Sequence, residues 1–165
     1  MIFGRTKGSI AELLAQEYLR ETYRPRELPI ELVDRFKIKV PDHIKRFIRD
    51  NWFSIDLFGF EVENYVVQNL ILYEVKGRNH YADPSKLWKP KLTSNCYTMY
   101  KHAQAAGYKV IYVDVVFYYN WDYDVKHCPL DLRTFCIDDG NVGFRKRDPQ
   151  SIPSPIPASP LEPQA

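Results

Sequence analysis

The sequence of 165 residues predicts one α/β domain at residues 1–147, in which helices flank a central β-sheet, followed by a tail. Three observations predict this fold class. A segment with the apolar spacing of a helix opens the chain. Two runs rich in Phe, Ile, Leu, Val and Tyr, residues 53–60 and 70–75, lie on either side of a turn-like segment. A second helical segment, residues 93–106, is followed by a long apolar run.

The first helix is predicted from four apolar residues spaced along one helix face: Ile10, Leu13, Leu14 and Leu19. Ser9 precedes them and Glu12 follows three residues later, which is the pattern of a capping box. On that interpretation Ser9 is the N-cap and Glu12 has a structural role. Pro25 and Pro29 then predict a loop, and residues 30–40 leave helix and strand open.

The charge of the chain is unevenly distributed. The formal net charge is only +2, but six basic residues lie within residues 35–49 and six more within residues 77–109. Residues 42–50, inside the first run, predict a short basic helix or turn. Because phosphate binding is largely charge neutralisation by Lys and Arg, two basic segments beside an acidic site fit a nucleic-acid groove. The alternative is that both segments are solvated surfaces of helices and loops.

The centre of the sheet is predicted by two strands at residues 52–60 and 70–76. Residues 61–65 between them predict a turn, to which Asn64 is suited. Gly77 follows the second strand and is expected to end it. The two strands are therefore expected to pair as a hairpin.

Three charged residues stand inside these apolar strands: Asp56, Glu74 and Lys76. Since successive side chains on a strand point to opposite faces, Glu74 and Lys76 share a face while Val75 points into a core. In a hairpin, Asp56 lies beside Glu74. Two carboxylates and a lysine at one place suit Mg²⁺, because this ion binds one or two carboxylates together with water and substrate phosphate. The alternative for Glu-x-Lys on a strand is a solvated ion pair.

A long polar segment, residues 78–92, follows the second strand directly. Irregular segments beside a site are often functional loops. The basic residues of this segment are expected to contact phosphate: Arg78, Lys86, Lys89 and Lys91. For Trp88 in the same segment, packing against the body of the domain is the favoured interpretation.

The helix predicted at residues 93–106 ends near Gly107, and residues 109–119 predict a long strand. One face of that strand holds Val110, Tyr112, Asp114 and Val116. A hydrogen-bonding role is favoured for Asp114 over a further acidic ligand.

The C-terminal part of the chain predicts less regular structure. Residues 118–124 form an aromatic, turn-like segment, and residues 135–144 predict a final hairpin. Residues 148–165 hold six prolines and are expected to be a disordered tail, because this composition builds no packed element.

Composition excludes several classes of protein. Three scattered cysteines without a Cys-x-x-Cys pair argue against a disulfide framework or a zinc site. No signal peptide or membrane-spanning run is predicted, so we expect a soluble cytoplasmic protein that does not bind membranes. The histidines are scattered and receive no catalytic role: His43, His80, His102 and His127.

One pattern in the chain resembles the signature of the PD-(D/E)XK, or restriction-endonuclease-like, nuclease superfamily: Asp56, then a hairpin, then Glu74-Val75-Lys76. The run Lys7-Gly8-Ser9-Ile10-Ala11-Glu12 is similar to the opening of archaeal Holliday-junction resolvases, in which such a run starts the first helix. The helix and strand after the hairpin repeat the resolvase order, so the similarity covers residues 5–118. Ile55 departs from the pattern, since the superfamily has a proline before the Asp.

The resemblance implies a restriction-endonuclease-like core with a central mixed β-sheet flanked by helices. It implies catalysis by Glu12, Asp56, Glu74 and Lys76. Asp56, Glu74 and the Val75 backbone carbonyl would bind Mg²⁺, for which Mn²⁺ could substitute, and Glu12 would bind a second metal or a metal-bound water. Lys76 would orient the attacking water and offset developing negative charge.

The function expected from this resemblance is a Mg²⁺-dependent endodeoxyribonuclease that hydrolyses DNA phosphodiesters, with a structure selectivity like that of the resolvases for branched DNA. A homodimer is expected, because cutting two strands needs two sites. The aromatic-rich residues 117–123, including Trp121, are a candidate interface. Two alternatives stay open: an inactive nuclease-fold module that binds nucleic acid or protein, and a nuclease acting on RNA or single strands.

Overall fold

The computed structural model describes residues 3–22, 26–29, 33, 35–80, 90–120 and 122–139. Within them the chain folds as a mixed five-stranded sheet with helices packed on both faces, which confirms the predicted α/β class. No helix in these ranges is long and apolar enough to cross a membrane. The predictions that lie outside them concern Lys86, Trp88, Lys89, Trp121 and the tail at 148–165.

The helices described are α1 (Phe3–Thr22), α2 (Asp42–Asn51) and α3 (Ser94–Ala105), with 3-10 turns at Trp52–Ser54 and Leu132–Thr134. The strands are β1 (Glu27–Pro29), β2 (Leu57–Glu63), β3 (Val66–Asn79), β4 (Lys91–Leu92), β5 (Lys109–Phe117), β6 (Tyr123–Pro129) and β7 (Cys136–Ile137). The main sheet has the order β1-β2-β3-β5-β6, and β4 pairs with β7.

The predicted hairpin forms between β2 and β3. These strands are antiparallel, and their two-residue connection, Asn64 and Tyr65, has φ of 51° and 62°. Positive φ at both positions twists the connection to match the strands, and Asn tolerates this conformation well. After β3 the chain passes through α3 and returns as β5, parallel to β3, while β6 is antiparallel to β5.

Each face of β3 packs against a different helix. Ile71, Tyr73 and Val75 point to the side that α1 covers, where Ala11 and Ala15 are buried. The opposite face of the same strand packs on α2 and α3. In that core Leu70 and Leu72 of β3 are buried together with Ile44 of α2 and Met99 and Tyr100 of α3. The prediction that the Val75 side chain points into a core is therefore confirmed.

The prediction of a strand at residues 52–56 is wrong. Trp52–Ser54 form a 3-10 turn that continues directly from α2, and β2 begins only at Leu57. Trp52 and Phe53 are exposed and have no partner strand. Their β-propensity depends on packing against neighbouring strands, so without those neighbours it does not decide the conformation.

The prediction that Gly77 ends the second strand is also wrong, because β3 continues to Asn79. A Cβ at Gly77 would lie 2.8 Å from the Cβ of Ala11 and 3.2 Å from the ring of Phe117. The glycine is therefore a contact position, where α1 approaches the sheet more closely than a side chain would permit.

Helix α1 begins at Phe3, so Ser9 lies inside the helix and the predicted N-cap at Ser9 is wrong. The helix predicted at 42–50 and the one predicted at 93–106 are confirmed within two residues. Of the hairpin predicted at 135–144, the described part forms β7, which pairs in parallel with β4.

Candidate active site

The site lies where the ladder between β2 and β3 ends. The last pair of the ladder is Leu57 with Tyr73, and the same register places Asp56 opposite Glu74. Here the Asp56 side chain replaces a backbone carbonyl as hydrogen-bond acceptor, since its Oδ2 accepts the N–H of Val75 at 2.9 Å. A buried backbone donor thereby keeps a partner beyond the end of the ladder.

Glu74 forms the centre of the site. It is 2% exposed, and in the described parts of the chain it is the only charged side chain that is buried. Its Oε1 forms an ion pair with Lys76 Nζ, and its Oε2 accepts the hydroxyl of Tyr100 at 2.6 Å. Burying a carboxylate is costly without such partners. Each oxygen of a carboxylate still has a second lone pair for a further donor or a metal.

Tyr100 was not predicted as a site residue. It is fully buried on α3, a helix whose start is fixed by Thr93, because the Thr93 side chain accepts the N–H of Cys96 at 3.2 Å. Burial, followed by the negative charge of Glu74, raises the pKa of Tyr100 well above its ordinary value. The phenol therefore stays protonated and acts as a donor to Glu74.

Lys76 is charged at neutral pH. Burial alone would lower the pKa of its ammonium, but the adjacent Glu74 and, more weakly, Asp56 raise it above its ordinary value. The Lys76 side chain is 29% exposed, whereas Glu74 is buried. The ammonium thus stands at the entrance of the site, between Glu74 and solvent.

The carboxyl group of Asp56 has a strongly raised pKa. Burial, and then repulsion from Glu74, raises its pKa from 3.8 to about 8, although the Val75 amide and Lys76 act in the opposite direction. Two carboxylates thus share one ammonium. A cation placed between them would favour ionisation of both.

The residues present fit Mg²⁺ in three respects. In the described part of the chain, no donor contacts Asp56 Oδ1, so this oxygen is available. The Val75 carbonyl points to the same side of β3 as its N–H, and therefore toward Asp56. Mg²⁺ needs only one or two carboxylates, since water supplies other ligands. Within the described ranges, no three His, Cys, Asp or Glu side chains converge on one metal position.

Glu12 approaches the site from α1. It is exposed, and its pKa is raised by partial burial and by Glu74, while Lys76 lowers it. It also contributes to the raised pKa of Asp56. Asp56, Glu74 and Lys76 are therefore brought together, and Glu12 lies near enough on α1 for its charge to act on theirs.

Two of the residues predicted to contact phosphate have acidic partners. Arg78 forms a two-pronged ion pair with Asp114, at 3.0 Å from Nε to Oδ1 and 2.9 Å from Nη2 to Oδ2. Lys91 pairs with Asp138 at 2.6 Å. Asp114 has the hydrogen-bonding role that was favoured for it. The Lys91 pair is largely exposed, and such pairs exchange readily for other anions.

The aromatic residues of the predicted dimer interface point in different directions. Phe117 packs against the core on the α1 side, and the Tyr118 hydroxyl donates to Asp124 at 2.7 Å. Tyr119 and Tyr123 are 90% and 45% exposed. Only part of this stretch is therefore a free surface in one copy of the chain.

The site has a charged lysine, two carboxylates of unequal burial and a tyrosine donor, all on the face of the sheet that α3 covers. Comparisons of the chain with models of known protein families, with curated proteins and with solved structures found no match. The chemistry of these side chains is therefore the basis for assigning a function.

Proposed function

We propose that this protein is a metal-dependent endonuclease that hydrolyses phosphodiester bonds in DNA, with its site at Asp56, Glu74 and Lys76. The observation that supports it most is the geometry of the site: Asp56, which accepts the Val75 N–H at 2.9 Å, lies opposite Glu74, and Glu74 pairs with Lys76. The raised pKa of Asp56 agrees with a place for a cation between the two carboxylates. The similarity of Asp56 and Glu74-x-Lys76 to the PD-(D/E)XK pattern supports the same function.

Asp56, Glu74 and the Val75 carbonyl would hold Mg²⁺ or Mn²⁺, with Glu12 as a further ligand through water. A bound ion of this kind lowers the pKa of a coordinated water and stabilises negative charge on a phosphate. Lys76 would donate a hydrogen bond to the attacking water or to a phosphate oxygen, offsetting charge that develops there. Tyr100 would keep the Glu74 carboxylate in one orientation through its bond to Oε2.

Proton and metal compete for Asp56 in this proposal. With a pKa of about 8, Asp56 holds a proton at neutral pH in the metal-free protein. Metal binding needs the ionised carboxylate and therefore releases that proton. Metal affinity should rise with pH up to about 8 and then level off.

The experiment that tests the proposal is a cleavage panel with Mg²⁺ and Mn²⁺ on duplex, branched and single-stranded DNA and on RNA. We expect cleavage of at least one DNA substrate by the wild type and its loss in Lys76→Ala, because the ammonium that offsets phosphate charge is gone. Lys126→Ala, at an exposed position on β6, is the matched control and should cleave like the wild type.

Absence of cleavage by the wild type on every substrate, with either metal, would contradict the proposal. One observation favours a second function in that case, a nuclease-fold module that binds without cutting: both Glu74 oxygens already have partners within the protein. Cleavage of RNA alone would instead reassign the substrate. The homodimer stays a prediction, for which the exposed Tyr119 and Tyr123 offer a surface.

A further inference from the structure

A groove of about 590 Å³ lies between α2 and β2. Its volume falls within the range of small-molecule sites, roughly 300–1,000 Å³. Its wall holds four aromatic rings, three aliphatic side chains and two basic side chains: Trp52, Phe53, Phe58, Phe60, Val33, Val40, Ile48, Lys45 and Arg49. We refer to it as the aromatic groove.

The rings of the aromatic groove are arranged so that part of their surface stays in solvent. Trp52 meets Phe58 edge to face at 6.1 Å between centroids, and Phe58 meets Phe60 in the same way at 5.7 Å. Trp52 is nevertheless 56% exposed and Phe53 is fully exposed. Neighbouring large apolar side chains left in water beside a groove indicate a binding surface.

The charge at the aromatic groove is positive and weakly engaged. Lys45 lies 3.8 Å from Asp42, and Arg49 lies 3.0 Å from Asp50, but both pairs are exposed. Exposed pairs contribute little, so a phosphate could replace either carboxylate. Aromatic faces next to Lys and Arg are the combination that binds single-stranded nucleic acid, by stacking of bases and attraction of the backbone.

The aromatic groove shares a face of the sheet with the candidate active site. Phe58 and Phe60 lie on the face of β2 that packs on the α2 and α3 side, where Glu74 also lies. The turn that carries Trp52 and Phe53 leads to Asp56 within three residues, a span of at most about 11 Å from Phe53. A strand with its scissile phosphate at Asp56 would therefore extend past Phe53.

We propose that the aromatic groove binds an unpaired base next to the scissile phosphate, so that the substrate is DNA with single-stranded character at the cut. This inference rests on the proposed nuclease function. The base stacks on Phe53 and Trp52, and the phosphate beside it meets Lys45 or Arg49. A fully paired duplex keeps its bases stacked inside the helix and offers none to the groove.

Binding without cleavage tests this directly. Fluorescence anisotropy in EDTA compares a labelled single-stranded oligonucleotide with the blunt duplex of the same sequence. We expect the wild type to bind the single strand more tightly, and Phe53→Ala to weaken that binding about tenfold, because stacking on one ring is lost. Phe53 is fully exposed, so its removal should leave thermal unfolding unchanged. Tyr65→Ala removes a 72% exposed ring in the turn at the other end of the β2–β3 hairpin and is the matched control.

Three results would overturn the proposal: tighter binding of the duplex by the wild type, equal affinities of Phe53→Ala and the wild type for the single strand, or equal losses in Phe53→Ala and Tyr65→Ala. Single-strand binding that depends on Phe53 would support the aromatic groove even if no substrate were cut. If Phe53→Ala cleaved every substrate like the wild type and bound the single strand with unchanged affinity, the binding role of the aromatic groove would be contradicted. The proposed nuclease function would then still stand.

Discussion

Two polar clusters on one face of β3 differ in charge balance. The Glu74 cluster consists of Asp56, Glu74, Lys76 and Tyr100, and the Arg78 cluster consists of Arg78, Asp114 and Tyr112. Each has a cation, a carboxylate and a tyrosine hydroxyl directed at the carboxylate. The Arg78 cluster has one cation for one carboxylate, whereas the Glu74 cluster has two carboxylates for one cation.

The Arg78 cluster is the structural one of the two. Hydrogen bonding to Asp114 raises the pKa of Arg78, so each member of that pair stabilises the charge of the other. In the Glu74 cluster, burial and repulsion raise the pKa of Asp56 to about 8. A balanced pair is complete by itself, while a second buried carboxylate that keeps its proton at neutral pH because it has no cation of its own indicates a place for one.

Substituting one carboxylate in each cluster should separate their roles most clearly. Glu74→Gln keeps the shape and an acceptor for Tyr100 but removes the charge, so cleavage should fall by about 10²–10³-fold or more. Asp114→Asn should leave cleavage near the wild-type rate and instead lower the free energy of unfolding by about 1–3 kcal/mol, because Arg78 loses its partner. Cleavage assays and urea unfolding on both variants measure this. Equal losses of activity would show that charge balance does not distinguish the clusters.

A divalent ion should stabilise the fold through the Glu74 cluster alone. At Mn²⁺ concentrations near 100 times the dissociation constant, the wild type should gain about 2.7 kcal/mol. Asp56→Asn should lose this gain, because its amide cannot supply the negative charge, and Asp114→Asn should keep it. Thermal unfolding with and without Mn²⁺ gives the answer independently of activity. An undiminished shift in Asp56→Asn would place the metal elsewhere.

The pH dependence of stability should carry a further signature of the Asp56 carboxylate. Because the pKa of Asp56 is raised from 3.8 to about 8, the folded protein holds a proton between about pH 4 and 8 that the unfolded chain has released. The free energy of unfolding therefore falls as pH rises through this window, by at most about 1.4 kcal/mol per pH unit, and levels off above pH 8. Metal-free unfolding curves at pH 5, 7 and 9 should show the slope in the wild type and a flatter profile in Asp56→Asn. Identical slopes would contradict the assignment to Asp56.

The sequence predicts the middle of the fold better than its edges. The apolar run of β3 and the turn at Asn64 are local signals, so they are sufficient to place Asp56 beside Glu74. The strand β6 was missed, since an edge strand with most side chains exposed has no apolar alternation to reveal it. Tyr100 could not be assigned to the site either, because its contact with Glu74 depends on how α3 packs across the sheet. In sequence it is one more apolar-face residue of a helix.

Gly77 has a consequence for the candidate site, although it carries no functional group. A side chain there would meet the methyl group of Ala11, the ring of Phe117 and the backbone oxygen of Lys7, so α1 lies this close to the strand only because the residue is glycine. The spacing between α1, which carries Glu12, and β3, which carries Glu74, therefore depends on this position. A methyl group at this position would act as a spacer that lifts the helix and its carboxylate together. Gly77, which has no side chain to contact a substrate, therefore determines how closely Glu12 approaches Asp56 and Glu74.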